Sequence, residues 1–185
     1  EPLSSRDCCL VTDGAGAIVM TRADRVPDLR NKAVRVLGYA ESYSHQFTPF
    51  SMPDWLEYGI RADTDRALGM AGITRSDIDV VQIYDHFTIG VLLALEELGF
   101  CERGQGGAFA TPERIGPGGD FPVNTSGGGL SYCHPGMFGM LLLVEAVRQL
   151  RGQCGDRQVP GASVALCQAP GLIFSGNMTC ILGRD

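Results

Sequence analysis

Strand-like and helix-like stretches interleave along the chain, and that order limits the fold more than composition does. Val80 to Tyr84 is an apolar run of strand length, and an amphipathic helix, Thr88 to Leu98, opens almost directly after it. Arg61 to Ala71 reads as a helix ended by Gly72, and Met137 to Leu150 as a mostly buried helix. Cys8 to Met20 and Ala33 to Glu41 read as strands ahead of these. Ser163 to Cys167 and Asn177 to Leu182 read as strands after them. This interleaving predicts an α/β fold built on a mixed sheet.

Length and composition set the outer limits. The 185 residues, 44% of them apolar, are enough for one buried core and one domain over 1–185. The net charge is -6 and Lys32 is the only lysine, so no nucleic-acid partner is expected. No run reaches the roughly 18 apolar residues of a membrane span, so no membrane partner is expected. Glu1 to Arg6 lacks the pattern of a signal peptide, so a cytoplasmic protein is the expectation. Seven cysteines, at 8, 9, 101, 133, 154, 167 and 180, form no CxxC pair. They read as reduced, mostly buried thiols, with no metal site.

Chemistry concentrates at three predicted strand ends. Asn124-Thr-Ser-Gly-Gly-Gly-Leu-Ser-Tyr-Cys-His134-Pro135-Gly136 places three glycines and a histidine just before a predicted helix start, with Pro135 suited to its first turn. Free N–H groups there favour developing negative charge beside His134. Tyr84-Asp-His-Phe87 stands at the carboxyl end of a strand, where ligands bind in open α/β sheets. Cys167 ends the third. The aromatic stretch 42–57, with Tyr43, His45, Phe47, Phe50 and Trp55, reads equally as a substrate-facing lid or as a packed irregular connection. Residues 101–122, rich in Gly and Pro, read as a surface excursion.

Taken together, these motifs resemble the C-terminal half of a thiolase-superfamily enzyme, in particular the sterol-carrier-protein type. Tyr84-Asp-His-Phe87 is similar to that family's His-Asp-Cys-Phe or Asn-Glu-Ala-Phe motif. Asn124-Thr-Ser-Gly-Gly128 matches its Asn-x-x-Gly-Gly, Cys133-His134-Pro135 its Gly-His-Pro, and Cys167-Gln-Ala169 its Cys-x-Gly. The resemblance implies a mixed five-stranded sheet with helices on both faces. It implies a coenzyme A thioester as substrate, no bound cofactor, and a homodimer. It further implies a small OB-fold acyl-CoA-binding protein as a possible partner.

The same resemblance implies roles. His134 would assist a nucleophilic cysteine and help hold the thioester oxygen. Tyr84 would complete the oxyanion site, because a phenol can donate that hydrogen bond. Cys167 would be the acid–base thiol acting at Cα, and His86 would tune its neighbours. Asn124, Gly127 and Gly128 would form the binding segment. Cys133 and Ala169 depart from the glycines of the family pattern, and the family's nucleophilic cysteine belongs to an N-terminal half that is not in these residues.

Three functions follow as expectations. The first is thiolytic cleavage or condensation at the Cα–Cβ bond of a β-ketoacyl-CoA. The second is retro-aldol cleavage of a β-hydroxyacyl-CoA, of the steroid side-chain type, with Tyr84 and Tyr132 as acid and base. The third is acyl-CoA or lipid binding without catalysis.

Overall fold

The computed structural model describes residues 2–46, 51–52, 54–56, 58–171 and 174–184. In chain order its elements are β1 (Arg35–Tyr43), α1 (Ile60–Ala71), β2 (Val80–Ile83), α2 (Thr88–Glu97), α3 (Gly106–Phe109), α4 (Pro112–Ile115), α5 (Gly128–Ser131), α6 (Gly139–Arg151), β3 (Val164–Gly171) and β4 (Gly176–Gly183). The strands form one sheet in the order β1-β4-β3-β2. β2 runs parallel to β3, and the other two pairings are antiparallel. The sheet is therefore mixed, as the interleaved pattern predicts.

Alternation along the strands divides the core in two. Val81, Ile83, Leu166 and Ile181 face α1 and α2, where they pack with Ile60, Ala67, Leu68, Leu95 and Leu98. Val80, Ala165, Cys167 and Leu182 face the other way, against Ala146 and Leu150 of α6. β2, β3 and β4 are thus covered on both sides, which is why β2 reads as an unbroken apolar run with no alternation. α1 lies close across β1: a Cβ on Gly38 would overlap the Ala67 carbonyl. α1 and α6 both end on a glycine in the left-handed region, Gly72 (φ 68°) and Gly152 (φ 72°).

Four strands are present among the described residues, where five were expected. The difference lies at Cys8–Met20, which forms no ladder. Residues 8–12 make isolated backbone bonds to His86, to Gly129 of α5 and to His134, and the segment beyond lies along α6. A Cβ on Gly16 would touch Met140, Leu141 and Val144 at 3.1–3.3 Å. The small residues that suggested a tightly packed strand instead let the backbone approach a helix. The segment is also not buried: Val19 is 95% and Met20 76% exposed.

Two other regions differ from expectation. The excursion at 101–122 contains α3 and α4, and Phe109 and Phe100 pack edge-on against Phe121, so its centre is aromatic core. In the aromatic stretch, Met52 and Tyr58 are buried while Trp55 and Tyr43 are exposed; Phe47 and Phe50 lie outside the described residues. Among the described residues, no helix is long and apolar enough to cross a membrane.

Candidate active site

The carboxyl end of β2 supplies the first part of the site. Tyr84 N–H donates to the Gln168 carbonyl at 3.0 Å, which extends the ladder one residue past the strand. Alternation then turns the phenol toward the face covered by α6. Its hydroxyl accepts the Phe138 N–H at 3.2 Å, at the entrance to α6, and faces the Gly136 carbonyl at 3.4 Å. The second distance is long for an O–H···O bond, so the phenolic proton is easily redirected to a better acceptor.

His134 stands beside this phenol, with ring centroids 5.3 Å apart and the planes at 81°. It is not in a helix entrance. α6 begins at Gly139, and Pro135 and Gly136 (φ 80°) form a turn between the two, so Pro135 does not occupy the helix's first turn. The histidine's backbone is held instead by the N-terminal segment: its N–H meets the Thr12 hydroxyl at 2.9 Å and the Leu10 carbonyl at 3.1 Å. Thr12 also donates to the Cys133 thiol at 3.1 Å. Among the described residues, His134 Nε2 is buried without a partner. A buried ring nitrogen is costly to leave unpaired, so Nε2 has capacity for a further hydrogen bond.

His86 closes the other side of Tyr84, with centroids 5.6 Å apart, and rests against Phe174 at 5.0 Å. Its Nδ1 lies 3.3 Å from the Tyr84 carbonyl. A carbonyl only accepts, so Nδ1 carries the proton and Nε2 is left as the basic nitrogen. Burial holds its pKa below the ordinary histidine value, with a smaller contribution from His134 in the same direction; the Tyr84 carbonyl opposes both. His86 is therefore neutral near pH 7.

The glycine segment packs against the end of β2. Asn124 sits at the sheet edge in the left-handed region (φ 49°), and its amide accepts from Ile83 N–H at 2.7 Å and donates to Ile83 O at 2.9 Å. Both amide atoms are thereby engaged by β2 and not turned to a ligand. Gly127 N–H bonds Asn124 O at 2.8 Å, and Gly128 opens the single turn of α5. At Gly128 a Cβ would fall inside the Asp85 carboxylate. Gly128 and Gly129 thus make room for Asp85, whereas a Cβ on Gly127 would meet Ser131 and Tyr132 at 3.5 Å.

Two expected site residues stand apart from the cluster. Cys167 is 2% exposed, and its thiol points to the α6 face, 3.7 Å from the Leu142 carbonyl and across from Cys180. Burial pushes its pKa well above the ordinary thiol value. The strand does not end there but continues through Ala169 and Pro170 to Gly171, so Cys167 lies within the ladder on its dry face. The thiol does not join the group around Tyr84 and His134. Tyr132, which follows α5, is 57% exposed, and its ring does not join the group around Tyr84.

Asp85 and Thr12 were missed in the sequence as parts of this site. Asp85 had a signal, its place between Tyr84 and His86. Thr12 had none, because its contact spans 122 residues.

Residues 40–184 match the thiolase C-terminal domain-like family. The chain is 36% identical over 168 residues to an acetyl-CoA acetyltransferase of Methanothermobacter thermautotrophicus, covering 90% of the chain and 44% of that protein. It is 40% identical over 163 residues to a 17-hydroxy-3-oxo-4-pregnene-20-carboxyl-CoA lyase of Mycobacterium tuberculosis, covering 82% and 40%. A solved structure, an Ltp2-ChsH2(DUF35) aldolase, superposes with a TM-score of 0.82 at 31% identity, over all of this chain and 48% of its counterpart. The chain thus spans less than half the length of the relatives it matches.

Proposed function

The chain belongs to the thiolase C-terminal domain-like family, and on that premise we propose that it contributes acid–base residues for cleaving the Cα–Cβ bond of a β-hydroxyacyl-CoA. The observation that carries this reading is the pair formed by the unpartnered Nε2 of His134 and the weakly engaged hydroxyl of Tyr84. It provides one acceptor and one donor side by side, and needs no thiol.

In the retro-aldol reaction His134 Nε2 takes the proton of the β-hydroxyl. The C–O bond becomes a carbonyl, the Cα–Cβ bond breaks, and its electron pair moves onto the thioester as an enolate. Tyr84 donates to the thioester oxygen as that charge develops, and the proton held by His134 then passes to Cα, which completes a shortened acyl-CoA and restores the histidine. The other product is a ketone or aldehyde. His86, neutral and in contact with Tyr84, keeps a second positive charge away from His134.

This assignment departs from the expected acid pair of Tyr84 and Tyr132, because Tyr132 lies outside the cluster. Thiolytic cleavage of a β-ketoacyl-CoA is the second reading. The His134-Pro135 step and the relationship to an acetyltransferase favour it, whereas the dry position of Cys167 counts against it. A DUF35-type component, as in the Ltp2-ChsH2(DUF35) aldolase, is the partner to test first; a homodimer is the proposed assembly.

Product analysis separates the readings. The complete gene product should release a carbonyl compound from a β-hydroxyacyl-CoA without added coenzyme A. Coenzyme A-dependent conversion of a β-ketoacyl-CoA into two acyl-CoA molecules would replace the aldolase reading with thiolysis. Binding of both thioesters with no turnover would leave a binding protein.

A further inference from the structure

Asp85 is 2% exposed, stands between two residues of the site, and takes no part in the proton transfers above. Its carboxylate accepts N–H bonds from Gly129 at 2.6 Å and Leu130 at 3.1 Å. A Cβ on Gly128 would collide with this carboxylate, and one on Gly129 would lie 3.2 Å from it and 3.0 Å from His134 Cδ2. The turn therefore fits around a carboxylate on one side and an imidazole on the other. The backbone of the N-terminal segment continues the link: Cys9 N–H bonds His86 O at 3.0 Å, Leu10 N–H bonds Gly129 O at 3.0 Å, and His134 N–H returns to Leu10 O at 3.1 Å.

We propose that Asp85 is a positioning residue, which clamps the Gly128–Gly129 turn to the end of β2 and so sets the placement of His134 against Tyr84. A neutral amide cannot do this equally well. Asparagine at 85 would keep the oxygen facing Gly129 but turn an NH2 group against the Leu130 N–H, two donors facing each other. A shift of about 1 Å between reacting groups is enough to lower a rate on the order of 100-fold.

The inference rests on the reading of His134 and Tyr84 as the reacting pair, so its test needs a readout independent of turnover. In the complete gene product, Asp85→Asn is expected to lower kcat on the order of 100-fold, to leave KM within about threefold, and to move the 15N resonances of the His134 ring. Gly128→Ala, which drives a Cβ into the carboxylate, should give the same pattern and serves if Asp85→Asn does not fold. The double variant should be no more than about threefold worse than the worse single variant, because both break one clamp. A folded Asp85→Asn protein with kcat within threefold of the parent, or with unmoved His134 resonances, overturns the proposal. If the parent turns over neither thioester, the functional reading fails, and the His134 resonances alone still decide the clamp.

Discussion

β2 and β3 are adjacent parallel strands, and their carboxyl ends differ sharply. Beyond β2 the chain leaves the ladder after Tyr84, and the next residues turn to side chains and loops: Asp85 to the glycine turn, His86 to Phe174. β3 runs three residues past the register of Ile83 with Gln168, through Pro170 to Gly171, before it pairs back into β4. A polar strand-end residue becomes chemistry only where the ladder stops. Cys167, one residue before that register, is still a core residue, and its neighbour Gln168 is 1% exposed. The lesson is local: which face a residue takes, and whether its strand continues, decides between a site and a core.

The largest test of this contrast is at the β2 end. His134→Ala should lower kcat about 1000-fold while the far-UV circular dichroism is unchanged. Near-normal turnover would remove the histidine from the reaction. Tyr84→Phe should cost about 100-fold in kcat by losing one donor to the developing charge. It also leaves the Phe138 N–H without its acceptor, which should destabilise the fold by about 1 kcal/mol in urea unfolding.

The β3 end should respond in the opposite sense. Cys167→Ala is expected to leave kcat within about twofold and to lower stability by about 1 kcal/mol, because it removes packing and no acid–base group. A large loss of activity with stability intact would restore the thiol to the site. The smallest effect concerns acid. Burial lowers the pKa of His86 in the folded chain, so the unfolded chain binds that proton more readily. Stability is therefore full above about pH 6.5 and declines as pH falls below it, down to the folded value. Urea midpoints at pH 7 and pH 5 should differ less in His86→Phe than in the parent.

Much of the architecture was legible from periodicity. α1, β2 and α2 lie within a residue of their expected bounds, because apolar pattern and end signals agree there. Cys8–Met20 misled because small and apolar residues serve a helix contact as well as they serve a strand. The site was half legible. Tyr84, His86 and His134 carry their chemistry in residue type, so sequence could single them out. The packing of Asn124 and Gly128 was not visible, since only the fold shows that Ile83 and Asp85 are their neighbours. Thr12 and the dry orientation of Cys167 depend on register and long-range contact, which local pattern does not encode.

The N-terminal segment has a practical consequence for spectroscopy. Cys8 is exposed and pairs with Phe87 in an isolated bridge, while its neighbour Cys9 bonds the His86 carbonyl. Cys133, Cys154, Cys167 and Cys180 are all buried. A maleimide dye should therefore react at Cys8 well before those four, without mutagenesis at Tyr84, His86 or His134. Attached there, the dye would sit against the same backbone that carries His86 and report on thioester arrival as a change in emission.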